Sequence, residues 1–162
     1  MSSMLIDAIF RGSILSVKFD FLIELIANSQ EVRFNYPEDL SVSSFDELIK
    51  AIRLNDNVDL AFCSGNILII DREVRSVFIN FARANYDIEL LFFFDIKDIA
   101  FDTDIKNFDY LKRWMEQYKM AFGFDYYVCQ MDNASKDEYY FDSHAPGPLF
   151  SHIVAPSEYP PD

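Results

Sequence analysis

The chain is poor in glycine and cysteine, and each shortage excludes a class of protein. Four glycines in 162 residues are too few for the glycine-rich loops that cradle phosphates. Two cysteines, Cys63 and Cys129, cannot build a disulfide framework. Asp7 and Arg11 interrupt the apolar pattern near the N-terminus, and no basic region precedes it, which predicts that the chain has no secretory signal. These features together predict a protein of the reducing cytoplasm.

Basic residues are also scarce, with 14 Lys and Arg against 27 Asp and Glu, so the formal net charge is −13. Such a charge repels nucleic-acid phosphates and anionic lipid, and it attracts basic proteins. No run approaches the ~20 apolar residues that span a bilayer. We therefore expect a basic protein partner, no direct nucleic-acid binding and no membrane. The alternative is that the acidity only keeps the protein soluble.

Motifs that carry chemistry are missing as well. The two histidines, His144 and His152, lie eight residues apart near the C-terminus, and zinc would need a third ligand. A calcium loop starting at Asp102 would place Lys106 at a ligand position and Asn107 at the turn glycine. Both cysteines fall on predicted strands and are interpreted as packing residues. We predict no metal, no cofactor and no catalytic residue.

Apolar and aromatic residues are abundant, at 51% and 17% of the chain. A single domain of this size buries about 70% of its unfolded surface, which is enough for a core without a metal or a disulfide. The most apolar run is 88–95, where the side chains from Leu90 to Phe94 are apolar on both faces. Such a strand is expected at the centre of a sheet, covered on both faces. Helices at 72–85 and 104–121 are predicted to cover it.

The other patterns complete an α+β fold, a single mixed, largely antiparallel β-sheet covered by about four helices. A short helix is predicted after Asp20, and a capping box at Ser44 and Glu47 starts another helix. Two hairpins are predicted, one around Gly65 and one around 132–136. The predicted strands are 14–19, 31–36, 59–63, 67–70, 125–131 and 138–142. For 14–28 a helix is the alternative, because Ser16, Asp20 and Glu24 form a polar stripe at helical spacing. The globular domain is predicted to span 1–142, followed by a proline-rich tail at 143–162.

The region from Met120 to the C-terminus is the most suggestive of a binding surface. It has seven acidic residues against one base, Lys136, and it is rich in tyrosine. Neighbouring residues of a strand point to opposite faces, so one tyrosine of each pair should face outward. Exposed tyrosines among carboxylates suit an interface with a basic protein. The predicted partner-binding residues are Tyr126, Asp132, Asp137, Glu138, Tyr139, Tyr140 and Asp142.

The segment Glu138-Tyr-Tyr-Phe-Asp-Ser-His-Ala-Pro-Gly-Pro-Leu-Phe150 resembles the closing segment of small acidic bacterial immunity proteins, which neutralise polymorphic or contact-dependent toxins. The resemblance covers about a dozen residues, together with size and charge. It implies a non-enzymatic, cytoplasmic protein that binds a toxin domain tightly, and it names no toxin. The leading hypothesis is an immunity protein for a basic toxin domain, for example a nuclease. Two alternatives stay open: a small hydrolase using Cys or carboxylate chemistry, and a general protein-interaction module.

Overall fold

The computed structural model describes residues 3–38 and 40–150, without the side chains of Gln30 and Glu31. The strands in this part of the chain are β1 (Leu5–Ser13), β2 (Ser29–Tyr36), β3 (Asn57–Ser64), β4 (Ile67–Ile69), β5 (Arg72–Val74), β6 (Val77–Ala84), β7 (Asp87–Asp95), β8 (Tyr126–Met131) and β9 (Tyr139–Asp142). The helices are α1 (Phe21–Ala27), α2 (Phe45–Leu54) and α3 (Asp104–Phe122), with one 3-10 turn at Ile96–Ile99. None of these helices combines the length and the apolar character needed to cross a membrane.

Seven strands form one sheet in the order β2-β3-β6-β7-β1-β8-β9. Each pair of neighbours is antiparallel, so the α+β prediction is confirmed and the sheet contains no parallel pair among the described strands. β7 is the fourth of these seven strands, so the prediction that residues 88–95 form the central strand is confirmed. The short β4 and β5 pair with each other apart from this sheet.

The helices pack on one face of the sheet, here called the helix-covered face; its central residues are Phe10, Ile79, Phe81, Leu90 and Phe92. Trp114 of α3 contacts Phe10 and Phe92 edge to face, at 5.7 and 5.3 Å between ring centroids. Phe21 of α1 contacts Phe81 at 6.3 Å. Aromatic pairs in these geometries add to the energy of burial. The core therefore lies between the helices and this single face.

Coverage of β7 on both faces was predicted, and this prediction is wrong. Leu90, Phe92 and Phe94 are at most 3% exposed, whereas Leu91 and Phe93 between them are only half-buried. The strand alternates because its odd-numbered residues point away from the helices. The sequence does not show this alternation, because every residue from Leu90 to Phe94 is apolar.

The predicted helix at 72–85 is also wrong, which leaves three α-helices instead of four. This segment forms β5 and β6. Val74, Val77, Phe78 and Phe81 fit a helical spacing, but Val77, Ile79 and Phe81 fit a strand equally well. The β-branched and aromatic residues favour the strand, and β6 completes its ladders with β3 and β7.

One strand prediction and one hairpin prediction also fail. Residues 14–19 form a turn and an irregular connection, and the first strand is instead β1. Residues 59–63 and 67–70 do not form a hairpin, because β3 pairs with β2 and β6 while β4 pairs with β5. In the second case the turn signal at Gly65 was outweighed by pairing between strands distant in sequence.

The remaining helices agree with their capping signals. The Glu47 amide donates to Ser44 Oγ at 3.1 Å, while the Glu47 carboxylate accepts from Ser43 rather than Ser44. Gly123 ends α3 in the left-handed conformation, with φ of 75°, a position that glycine occupies without a steric penalty. The exception is α1, which is present as predicted although the Asp20 side chain, expected to cap it, makes no capping hydrogen bond.

Candidate interaction surface

The β8–β9 hairpin, predicted to carry the partner-binding residues, is present. Cys129 pairs with Phe141 and Gln130 pairs with Tyr139, so Tyr140 is an extra residue in β9. This β-bulge turns both Tyr140 and Phe141 toward the core, where they are 7% and 3% exposed. Tyr140 packs on Phe108 of α3 with ring centroids 4.4 Å apart. The partly exposed tyrosine of the pair is therefore Tyr139.

Tyr126 and Asp142 form a polar cluster on the side of the hairpin away from the helices. The Tyr126 hydroxyl donates to Asp142 Oδ2 at 3.2 Å. Asp142 Oδ1 also accepts from the amides of His144 and Ala145, at 2.8 and 3.0 Å. Burial opposes ionisation of Asp142, but these hydrogen bonds outweigh it and lower its pKa. The Arg11 guanidinium lies 5.8 Å from the centre of the Tyr126 ring, so the cluster presents a fixed carboxylate beside an aromatic ring.

The acids of the connecting loop have different roles. Glu138 accepts from the Ser135 amide at 3.1 Å and from the Ser135 hydroxyl at 2.6 Å, and these bonds lower its pKa. Glu138 therefore stabilises the turn. Asp137 is exposed, and Asp132 lies close enough to Asp7 to raise the pKa of Asp7. Of these acids, Asp137 is the one most accessible to a partner.

The first tail residues lie against the hairpin. The Gly147 amide donates to the Tyr140 carbonyl at 2.8 Å, and the Leu149 amide donates to the Tyr139 carbonyl at 3.1 Å. A Cβ at Gly147 would collide with the ring and the carbonyl of Tyr139. A glycine between Pro146 and Pro148 therefore lets this segment pack against Tyr139.

The hairpin continues into an uncovered face of the sheet, here called the open face. Its side chains form rows across the strands, because residues paired across a ladder point to the same face. The first row is Cys63, Phe78, Phe93, Asp7, Gln130 and Tyr139. The second row is Arg33, Ala61, Asn80, Leu91, Ile9, Val128 and Asp142. The third row is Asp59, Ala82, Glu89, Arg11 and Tyr126.

The open face is acidic. Its two bases are Arg11 and Arg33, and Arg11 pairs with Glu89 at 3.1 Å. Burial, followed by the charges of Asp132 and Glu89, raises the pKa of Asp7, which shows that carboxylates cluster around β1. The acids on this face are Asp7, Asp59, Asp87, Glu89, Asp95 and Asp142.

The cysteines and the described histidine do not form a nucleophilic pair. Cys129 is completely buried, and burial raises the pKa of its thiol well above the ordinary value. Cys63 is exposed, which corrects its assignment as a packing residue. The strand of Cys63 is five positions from β9, which His144 follows, and five strand spacings amount to about 24 Å. Within residues 3–38 and 40–150, no three His, Cys, Asp or Glu side chains converge as a metal site requires, and His152 lies outside the described residues.

Sequence analysis missed the part of the open face outside the hairpin. Phe78, Leu91 and Phe93 were assigned to a helix or to a fully covered strand. The register of β1 with β7 and β8 brings Asp7 and Arg11 beside them. The alternation of Asp7, Ile9 and Arg11 with Ile6, Ala8 and Phe10 was the available signal, and it was obscured because both sets contain apolar residues.

Comparison with known proteins gives information on the fold of this chain. No protein-family model matches the chain, and no curated protein matches it. The chain is similar to a chain of the 1.75 Å crystal structure of the toxic C-terminal tip of CdiA from Pseudomonas aeruginosa in complex with immune protein. The TM-score is 0.66 at 18% sequence identity, and the match covers 91% of this chain and 99% of that chain. The resemblance to toxin-immunity systems is thus confirmed at the level of the fold.

Proposed function

We propose that this chain is a non-enzymatic, cytoplasmic immunity protein, which binds a basic toxin domain and neutralises it. The observation that carries the proposal is the acidic and aromatic surface around the β8–β9 hairpin, on a fold found in a toxin–immune-protein complex. A fold alone does not define a function. The surface supplies the second argument, because it presents carboxylates and a partly exposed tyrosine on a rigid sheet.

The two residue types on this surface have separate roles in the proposal. The exposed carboxylate of Asp137 and the fixed carboxylate of Asp142 attract a basic domain over a distance of about one Debye length. The ring of Tyr139 provides anchoring area once contact is made, because buried tyrosines are enriched among the residues that dominate binding energy. Tyr140 has no part in this contact, since it belongs to the core.

The decisive experiment is a rescue of toxicity. The toxin domain encoded beside this gene is expressed in a bacterial host with and without the chain. We expect growth arrest from the toxin alone and normal growth with both. Unchanged arrest with both proteins expressed in soluble form, or the absence of any toxin gene nearby, contradicts the proposal.

Association kinetics test the role of the acids. Asp137→Lys should slow association with the toxin domain several-fold at about 0.01 M salt, and the difference should shrink at about 0.15 M as screening grows. Glu73→Lys is the matched control, because it changes the net charge equally on β5, where Glu73 lines a cleft with Trp114 and Tyr118 of α3. Equal slowing by both variants would mean that only the total charge matters.

Dissociation kinetics test the tyrosine. Tyr139→Ala should speed dissociation of the toxin domain about 30-fold, which corresponds to an anchor worth about 2 kcal/mol. Tyr139→Phe keeps the ring against Gly147 and should change dissociation less than threefold. If the Tyr139→Ala complex dissociates at the wild-type rate, Tyr139 does not anchor the toxin domain.

A further inference from the structure

The outward side of the β8–β9 hairpin is small compared with a stable protein interface. Its strands have six and four residues, so it offers a patch of about 20 Å by 10 Å. A specific interface buries about 800 Å² on each partner. The whole open face, seven strands wide, measures roughly 29 Å across and reaches the required order of size. A partner held tightly at the hairpin must therefore contact more of the molecule.

The adjoining part of the sheet has the composition of an interface centre. Phe78 and Phe93 are directly paired across β6 and β7, and Phe78 is 39% exposed. Cys63 adjoins Phe78 on β3, and Leu91 lies on the same face one row away. An aromatic pair without a covering layer is unfavourable in water and favours the burial that a partner provides.

Three of the more exposed apolar residues do not form such a group. Leu15 is in the turn after β1, Leu68 is on β4, and Met120 is on α3. They lie on separate elements, and single exposed apolar residues are ordinary on a protein surface. The Phe78–Phe93 pair differs because it continues, row by row, into the hairpin.

The charges of the open face specify the occupant. Among the described side chains, six acids and two bases lie on the same face as the aromatic pair. A second copy of this chain would place acids against acids, which is unfavourable. A basic protein brings opposite charge to these acids and covers the aromatic pair.

We propose that the basic toxin domain covers the open face from Tyr139 on β9 to Cys63 on β3, with Phe78 and Phe93 as its apolar anchor. This inference rests on the proposed function and extends its contact surface from two strands to six. Cys63 lies at the far end of the first row, so its thiol reports whether that end is covered.

The first experiment follows alkylation of the free full-length protein by iodoacetamide. Cys63 should react at the rate of an exposed peptide thiol, independently of protein concentration, while the buried Cys129 reacts only after unfolding. Slow reaction of Cys63 that speeds up on dilution would mean that a second copy covers the face. Slow reaction that speeds up on removal of residues 151–162 would mean that the chain's own tail covers it. Either result overturns the proposal.

The second experiment repeats the alkylation with the toxin domain encoded beside this gene. We expect Cys63 to react at least tenfold more slowly in the complex. Phe78→Ser should weaken binding at least tenfold while the variant keeps its folded spectrum, and Leu68→Ser, the control on β4, should weaken it less than twofold. A tight complex that leaves Cys63 fully reactive and tolerates Phe78→Ser refutes this inference but leaves the hairpin contact standing. If no complex forms, the proposed function fails and this inference fails with it.

Discussion

The helix-covered face and the open face of the sheet differ most clearly along β7, where neighbouring residues of one type have different surroundings. Phe92 is 1% exposed and contacts Trp114 and Tyr118 of α3. Phe93 is half-buried and is paired with Phe78 and Asp7 on the other face. Apolar character alone therefore does not separate residues packed in the core from residues left accessible to a partner. The separation comes from which face the helices cover.

The largest expected effect is on the stability of the helix-covered face. Phe92→Ala should lower the free energy of unfolding by about 3–5 kcal/mol, because it leaves a cavity among packed rings. Phe93→Ala should cost less than about 1.5 kcal/mol, since a half-buried side chain loses less contact. Denaturant unfolding of both variants measures the difference. Equal losses in the free energy of unfolding would mean that the two faces contribute equally to stability.

A second prediction concerns Arg83, the one buried cation among the described side chains of the helix-covered face. Arg83 is 8% exposed and donates to the carbonyls of Ile52, Arg53 and Asn85 at 2.7, 3.0 and 2.7 Å. It thereby caps the C-terminal end of α2. Arg83→Met should cost about 2–3 kcal/mol, because buried carbonyls lose their donors.

The control for Arg83 is Arg33 on the open face, which is exposed. Arg33→Met should change stability by less than about 0.5 kcal/mol, as substitutions at exposed sites do. Denaturant unfolding provides the measurement for both variants. A loss at Arg33 that matches the loss at Arg83 would show that the open face also depends on its cations.

The smallest expected effect concerns Asp7 on the open face. Its pKa is raised, first by burial and then by Asp132 and Glu89, so the folded state favours the protonated form. The stability linked to that proton is present at low pH and is lost as the pH rises through the folded pKa. Asp7→Asn should therefore stabilise the protein at pH 7, by less than about 1 kcal/mol because the site is partly exposed.

The gain from Asp7→Asn should disappear below about pH 3, where the aspartate is protonated in both the folded and the unfolded state. Thermal unfolding at pH 7 and at low pH tests this sign. Destabilisation at pH 7 would mean that the ionised carboxylate is needed by the fold. The same substitution should weaken toxin binding slightly, since it removes one acid from the open face.

Sequence reasoning succeeded where a signal is local. The capping residues at Ser44 and Gly123 and the hairpin after β8 depend on neighbouring residues, and the structure confirms them. The helix prediction for 72–85 failed because the apolar spacing fits both the helical and the strand period. Only the pairing of β6 with β3 and β7 decides between them. The strand β1 was not predicted because apolar residues occur on both of its faces.

The candidate surface was predictable only in part. Acid and tyrosine content located the hairpin, but the bulge at Tyr140 decides which tyrosine faces outward, and no turn residue marks it. The open face depends on the register of six strands and on the placement of all the helices on one side. Neither is encoded in a short stretch of sequence.

The most direct test of the account is the affinity of the toxin domain for two alanine variants, measured at about 0.15 M salt. We propose that the open face binds the toxin domain, whereas the helix-covered face stabilises the fold. Phe93→Ala should raise Kd at least about 30-fold, as expected of an anchor worth 2 kcal/mol. Leu68→Ala, an exposed apolar residue on β4, should change Kd less than threefold. A wild-type Kd for Phe93→Ala together with a large loss for Leu68→Ala would contradict the account.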